Sequence, residues 1–231
     1  MCFSATASFV AGTSLSVIGV ATLTNARHRT EIPFAMIPLL FGIQQLIEGV
    51  IWLTFVHDTP VLKQTMTYAY SGFSHVLWPI YVPFAIGVLE LSRWRRKVLA
   101  AFEVAGLVAG LYLLYFLVTR PVVAEVVSRH IEYISPHFYI APVIVLYVAA
   151  TCVSGLFSSH RFVNLFGGLA LASFIASYVL YAHALVSVWC FYAALLSILL
   201  YIHLRFRNLG GFPADAPASH DGGHDVHLRR G

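Results

Sequence analysis

Charge is scarce in this chain: 10% of its 231 residues are charged, against 59% hydrophobic residues and a mean hydropathy of +0.79. That shortage excludes a water-soluble domain, because so much apolar surface cannot be hidden in one core. No charged residue precedes Arg27. A cleavable signal peptide begins with a basic segment, so the first apolar run is expected to remain as a membrane span. The three cysteines, Cys2, Cys152 and Cys190, are an odd number without CxxC spacing and define no disulfide framework. No lysine lies between 184 and 204, which excludes a retinal Schiff base in the last span. The net charge of +4 resides in short clusters between apolar runs, where membrane orientation explains it without a nucleic-acid partner.

What the chain does contain is a series of apolar runs of about 20 residues, the length that crosses ~30 Å of hydrocarbon at ~1.5 Å per residue. Seven can be drawn, at roughly 5–24, 33–56, 66–90, 98–118, 138–157, 162–181 and 184–204. The sixth and seventh are separated only around "YAHAL"; a single long helix there would reduce the count to six. Lys and Arg mark the inner face. Arg27 and Arg29, then Arg93, Arg95, Arg96 and Lys97, then Arg161, and finally Arg205 and Arg207 fall on alternate links. The expected fold is all-α, an integral membrane bundle of seven transmembrane helices with the N-terminus outside and the C-terminus inside. It occupies residues 1–207 and lies in the cytoplasmic (inner) membrane, with lipids as its surroundings. Residues 208–231, rich in Gly, Pro and His, read as a disordered cytoplasmic tail.

Between the fourth and fifth runs, Val122, Val123, Val126, Val127, Ile131 and Ile134 recur at helical spacing, with Glu125, Arg129 and Glu132 on the other face. This predicts a short interfacial helix near 121–135 on the outer surface, or alternatively a structured loop packed on the bundle.

Ionisable and polar residues inside spans are costly and mark sites. The second run carries Gln44, Gln45 and Glu48 at i,i+4 and i,i+3, with Trp52 one turn further along that face. The third carries Ser71, Ser74, His75 and Trp78, followed by Pro79, which cannot donate to the His75 carbonyl. Glu48 and His75 lie at matching depths of roughly 12 to 13 Å from the outer end, so a meeting of the two is expected. The last run opens with His183 and continues through Ser187, Trp189 and Cys190. Ser173, Ser177 and His137 complete a polar set in the outer half of the bundle.

Trimming of the initiator methionine would give Cys2 a free amine beside its thiol, two donors for a soft metal. Cys2 could equally pair with Cys190 or precede a helix cap at Ser4. Together these residues outline a catalytic pair, Glu48 and His75. Glu48, His75, His183 and Cys2 form a candidate metal set, with zinc or another divalent transition metal as cofactor. Gln44, Gln45, Trp52, Ser74, Trp78, Ser187 and Trp189 line a candidate substrate cleft.

The stretches "MCFSATASF", "QQLIEG", "WPIYVP" and "SVWCFYAALLS" resemble a family of small bacterial multi-span membrane proteins of unknown function, over residues 1 to about 205. That resemblance implies a bacterial membrane protein and no particular activity. The seven-span layout with acidic, His and Ser residues toward one face also resembles the alkaline ceramidase type of zinc-dependent membrane hydrolase. This likeness implies zinc chemistry on a lipid-like substrate, although the paired-His motif late in that family has only His183 here.

Two functions follow from the residues. One is a metal-dependent hydrolase in which Glu48 and His75 hold the ion that activates water. The other is a non-enzymatic receptor, sensor, carrier or partner subunit in which the same cleft binds a small ligand or ion.

Overall fold

In hydrocarbon every backbone N–H and C=O must be satisfied within the chain, so apolar runs of this length fold as helices. The computed structural model describes residues 4–127, 130–134, 137–138, 140–180 and 185–209. Among the described residues seven helical rods occur: α1 (Ala5–Thr24), α2 (Arg29–His57), α3 (Pro60–Leu89), α4 (Arg93–Thr119), α5 (Ala141–Leu156), α6 (Arg161–Leu180) and α7 (Leu185–Leu209). Six are long and apolar enough to cross a membrane; α5 spans only roughly 24 Å at the helical rise. The chain is thus a helical membrane protein. The outer surface of the rods is apolar, with Val17, Val56, Leu111, Val118 and Val179 all exposed, while Gln44, Gln45, Glu48, Ser71 and Ser177 are fully buried. Apolar residues outside and polar ones inside suit a lipid solvent.

The sixth and seventh runs form two helices. Trp189 on α7 donates its Nε1–H to the Ala170 carbonyl on α6 at 3.3 Å, across 19 residues of chain. In one continuous helix those residues would stand about 28 Å apart.

The first two rods pack backbone to backbone. Gly42 of α2 faces Ser16 of α1 so closely that a Cβ there would lie 2.5 Å from Ser16 Oγ. Small residues at such crossings let helices approach where lipid gives no hydrophobic push. Pro79 shapes α3. It supplies no N–H to the fourth carbonyl back, and just ahead of it the helix widens into a π turn over Gly72–Leu77, where the Trp78 N–H reaches the Phe73 carbonyl five residues back. A second π turn, Ala149–Val153, interrupts α5.

The interfacial helix expected near 121–135 does not form. Two antiparallel strands stand there, β1 (Val123–Val127) and β2 (His130–Ile134), with Ala124 opposite Tyr133 and Val126 opposite Ile131. The valines and isoleucines that fit a helical period are β-branched and fit a pleat as well. Tertiary contact decides between the two. Ala124, Ile131 and Tyr133 share the buried face, and Tyr133 stacks on Tyr70 of α3 with ring centroids 4.3 Å apart. Glu125 and Glu132 pair on the opposite face.

The hairpin caps one end of the bundle, beside the α2–α3 turn: Pro60, Lys63 and Thr67 share a groove with Pro121–Ala124. At the other end the basic links gather. Arg95 Nη1 donates to the carbonyls of Ser158 at 2.7 Å and Phe157 at 3.2 Å. The Glu90 carboxylate accepts from Ser92 N, Ser159 N and Ser159 Oγ at 2.9, 2.6 and 2.6 Å. Glu31, Leu89, His160 and His203 line one small pocket there.

Candidate functional site

The central feature is a carboxylate inside the bundle. Glu48 of α2 has no exposed surface. Its Oε1 accepts from Ser187 Oγ of α7 at 2.6 Å, and its Oε2 from Gln45 Nε2, one turn earlier on α2, at 3.2 Å. Both donors are neutral, and among the described residues no lysine, arginine or histidine hydrogen-bonds or ion-pairs with Glu48. Gln44, on the same helical face, accepts at Oε1 from Trp78 Nε1 of α3 at 2.7 Å, while Phe41 stacks on Trp78 at 3.9 Å. The Cys190 thiol, one turn beyond Ser187, lies beside Gln44, Glu48 and Tyr70. Helices α2, α3 and α7 therefore each contribute to one buried polar cluster.

His75 forms a neighbouring group. The π turn places its Nδ1 2.7 Å from Ser74 Oγ, and its ring rests against Phe138 at 5.0 Å. Its Nε2 is buried and makes no hydrogen bond to the described residues. The Ser74 carbonyl accepts from the Tyr147 hydroxyl of α5, so α5 holds this turn in place. No hydrogen bond or ion pair joins His75 to Glu48. Matching depth in two spans places residues at one level but leaves their direction around each helix axis free, and here it turns His75 toward Ser74 and Phe138.

The other candidates that the structure describes make contacts of their own. Trp52 is half-buried, its Nε1 covered and without a hydrogen bond among the described residues, and it meets Phe55 edge to face. Trp189 packs between Phe174 and Tyr147 as well as bonding Ala170. His137 stacks on Phe116 at 3.7 Å. Ser173 returns its hydroxyl to the Ala170 carbonyl of its own helix. Cys2, His183 and the tail histidines lie outside the described residues. Cys190 is a free thiol. Among the described residues no three His, Cys, Asp or Glu side chains converge as a metal site.

Sequence reasoning did not single out Tyr70, Tyr147 and Thr151, which surround the same region. Tyrosines and threonines in spans carry no charge to flag them, and their roles depend on which helices become neighbours. A cavity of about 30 Å³, lined by Phe41, Trp78, Thr151, Trp189, Cys190 and others, adjoins the cluster. That is room for roughly one water molecule.

These features define a helical membrane protein with a buried polar cluster built from three separate helices. The chain belongs to a family of unknown function (DUF6629), whose model matches residues 1–214. No curated protein and no solved structure matches it.

Proposed function

We propose that this is a seven-span membrane protein, N-terminus outside and C-terminus inside, whose Glu48 cluster takes up a proton or a small cation from the outer face. It acts as a sensor, receptor or carrier subunit without covalent chemistry. The observation that carries this reading is the surroundings of Glu48: a fully buried carboxylate held by a hydroxyl and an amide, with no positive side chain bonded to it among the described residues. A carboxylate in a lipid-embedded interior needs a proton, a cation or a metal to offset its desolvation. The adjoining 30 Å³ cavity suits an ion or a water and is far too small for a lipid.

Infrared difference spectroscopy of the protein in lipid vesicles tests the reading. Changing the pH or adding a small monovalent cation should alter a carboxyl band in the wild type that Glu48→Gln removes. Identical spectra for the two proteins under every condition overturn it.

The second reading is a zinc-dependent hydrolase acting on a lipid-like substrate, with Glu48 and His75 as ligands or catalytic groups. The covered, unbonded Nε2 of His75 is the observation in its favour. It needs Cys2 and His183 to complete the donor set, because too few donors converge among the described residues. Metal analysis of the purified protein beside Cys2→Ser and His183→Ala distinguishes it from the first: stoichiometric zinc lost in both variants favours the hydrolase, and a metal-free wild type removes it.

A further inference from the structure

An open groove of about 540 Å³ lies at the basic end of the bundle, between the last turns of α3 and the first turns of α4, and the Glu48 cluster has no part in it. Its apolar wall includes Pro83, Phe84, Val88 and Leu99, and Arg96 and Glu103 sit on its α4 side. Nothing lies within 4 Å of where a Cβ on Gly87 would point, so the groove is empty space at that position.

Arg93, Arg96, Ala100 and Glu103 recur at i, i+3, i+7 and i+10, which puts them along one face of α4. Arg96 uses Nη2 to hold the Glu90 carbonyl at 3.1 Å. Arg93 and Lys97 are exposed and make no hydrogen bond to the described residues. Arg96 is the cation that lines the groove; Arg93 and Lys97, exposed and uncommitted, stand within one turn of it on α4, at the basic end of the apolar trough. Glu103 lies about 10 Å deeper along the helix, with one carboxyl oxygen buried and without a hydrogen bond among the described residues.

We infer that this groove is a binding site for an anionic glycerophospholipid, with the phosphate against Arg93, Arg96 and Lys97 and one acyl chain lying over Gly87 between Phe84 and Leu99. Basic pockets between membrane helices hold anionic head groups through the same combination of charge and chain packing. The inference stands on charge and shape at this end of the bundle, independently of what Glu48 binds.

The test uses the full-length protein, with lipid retention read by native mass spectrometry and by thermal unfolding against phosphatidylglycerol, phosphatidylcholine and inorganic phosphate. Phosphatidylglycerol should be retained saturably and at least tenfold more tightly than phosphatidylcholine, and should raise the unfolding temperature. Inorganic phosphate should not reproduce that rise. Gly87→Leu fills the trough from a position that faces open space, and should abolish the selective retention while the lipid-free unfolding temperature stays unchanged. Arg93→Gln combined with Lys97→Gln should erase the preference for the anionic lipid but keep the fold. Equal retention of the two lipids overturns the inference. So does a Gly87→Leu protein that still selects phosphatidylglycerol, or a full thermal shift from phosphate alone.

Discussion

The hydroxyl of Ser187 donates to Oε1 of Glu48 across 2.6 Å, tying the last helix to the second over 139 residues of chain. Glu48 has no exposed surface and Ser187 is 1% exposed, so the bond is shielded from water and from competing donors.

Ser187→Ala removes one of the two donors to Glu48 and leaves a buried carboxylate oxygen without it. A cost of about 1–3 kcal/mol is expected, seen as a lower unfolding temperature in detergent. Ser187→Thr, which keeps the hydroxyl, should recover part of it. An Ala variant as stable as the wild type would show that water replaces the hydroxyl.

Trp78→Phe deletes the Nε1–H that Gln44 Oε1 accepts at 2.7 Å. The buried amide oxygen then lacks its donor, again at about 1–3 kcal/mol. Replacing both partners, Trp78→Phe with Gln44→Met, should cost less than the sum of the two single changes. Additive losses in that double-mutant cycle would contradict a direct bond.

Glu90 predicts a pH dependence at the basic end. Burial pushes its carboxyl up, but the Ser159 hydroxyl and amide, the Ser92 amide and the charge of His160 outweigh burial and hold it below the usual carboxylate range. A depressed folded value stabilises the protein above the unfolded carboxylate range of ~4, and that contribution is lost as pH falls through the folded value. Unfolding temperature measured from pH 7 down to 3 should therefore drop on the acid side, and Glu90→Gln should show a shallower drop. Parallel curves for the two proteins would remove Glu90 as the cause.

The stacked pair Tyr70 and Tyr133 secures the hairpin to α3 at 4.3 Å. A double-mutant cycle with Tyr70→Leu and Tyr133→Leu should give a coupling of about 0.5–1.5 kcal/mol. Loss of the stack should also speed proteolysis of residues 123–134, since the hairpin's buried face rests on that ring. A coupling near zero would leave the hairpin held by Ala124 and Ile131 alone.

Gly106 tests the packing of α3 against α4. A Cβ there would run into the backbone carbonyl of Pro79, which cannot rotate away as a side chain could. Gly106→Ala should therefore lower stability despite the better helix propensity of alanine, whereas Gly87→Ala, facing open space, should not. Equal unfolding temperatures for the two variants would show that the helices separate without cost.

The helices and their order were legible in the sequence because membrane crossing imposes a length and a composition that can be counted directly. The seven apolar runs each correspond to a helical rod, and the grouping of Arg and Lys on alternate links matches the gathering of Glu90, Arg95 and Ser158 at one end. The hairpin was not legible. Valine and isoleucine serve a helix face and a strand face alike over so short a segment, and the choice fell to Tyr70, more than fifty residues away. The shortness of α5 was hidden too, since the apolar run at 138–157 begins before its helix does.

For the candidate site, spacing alone put Gln44, Gln45 and Glu48 on one face of α2, and the fixed helical period guarantees that. Which residues meet across helices was beyond the sequence. Ser187 reaches Glu48 and Trp78 reaches Gln44, yet His75, at the depth that suggested a pairing, turns to Ser74 and Phe138. Rotation about each helix axis, set by the π turn before Pro79 and by close contacts such as Gly42 on Ser16, decides which side chains face one another. The sequence by itself determined that this chain lives in a membrane as a helical bundle with a buried carboxylate, because hydrocarbon permits few alternatives. Only the tertiary structure decided that carboxylate's partners, because a contact between helices depends on rotations and crossings that no local spacing encodes.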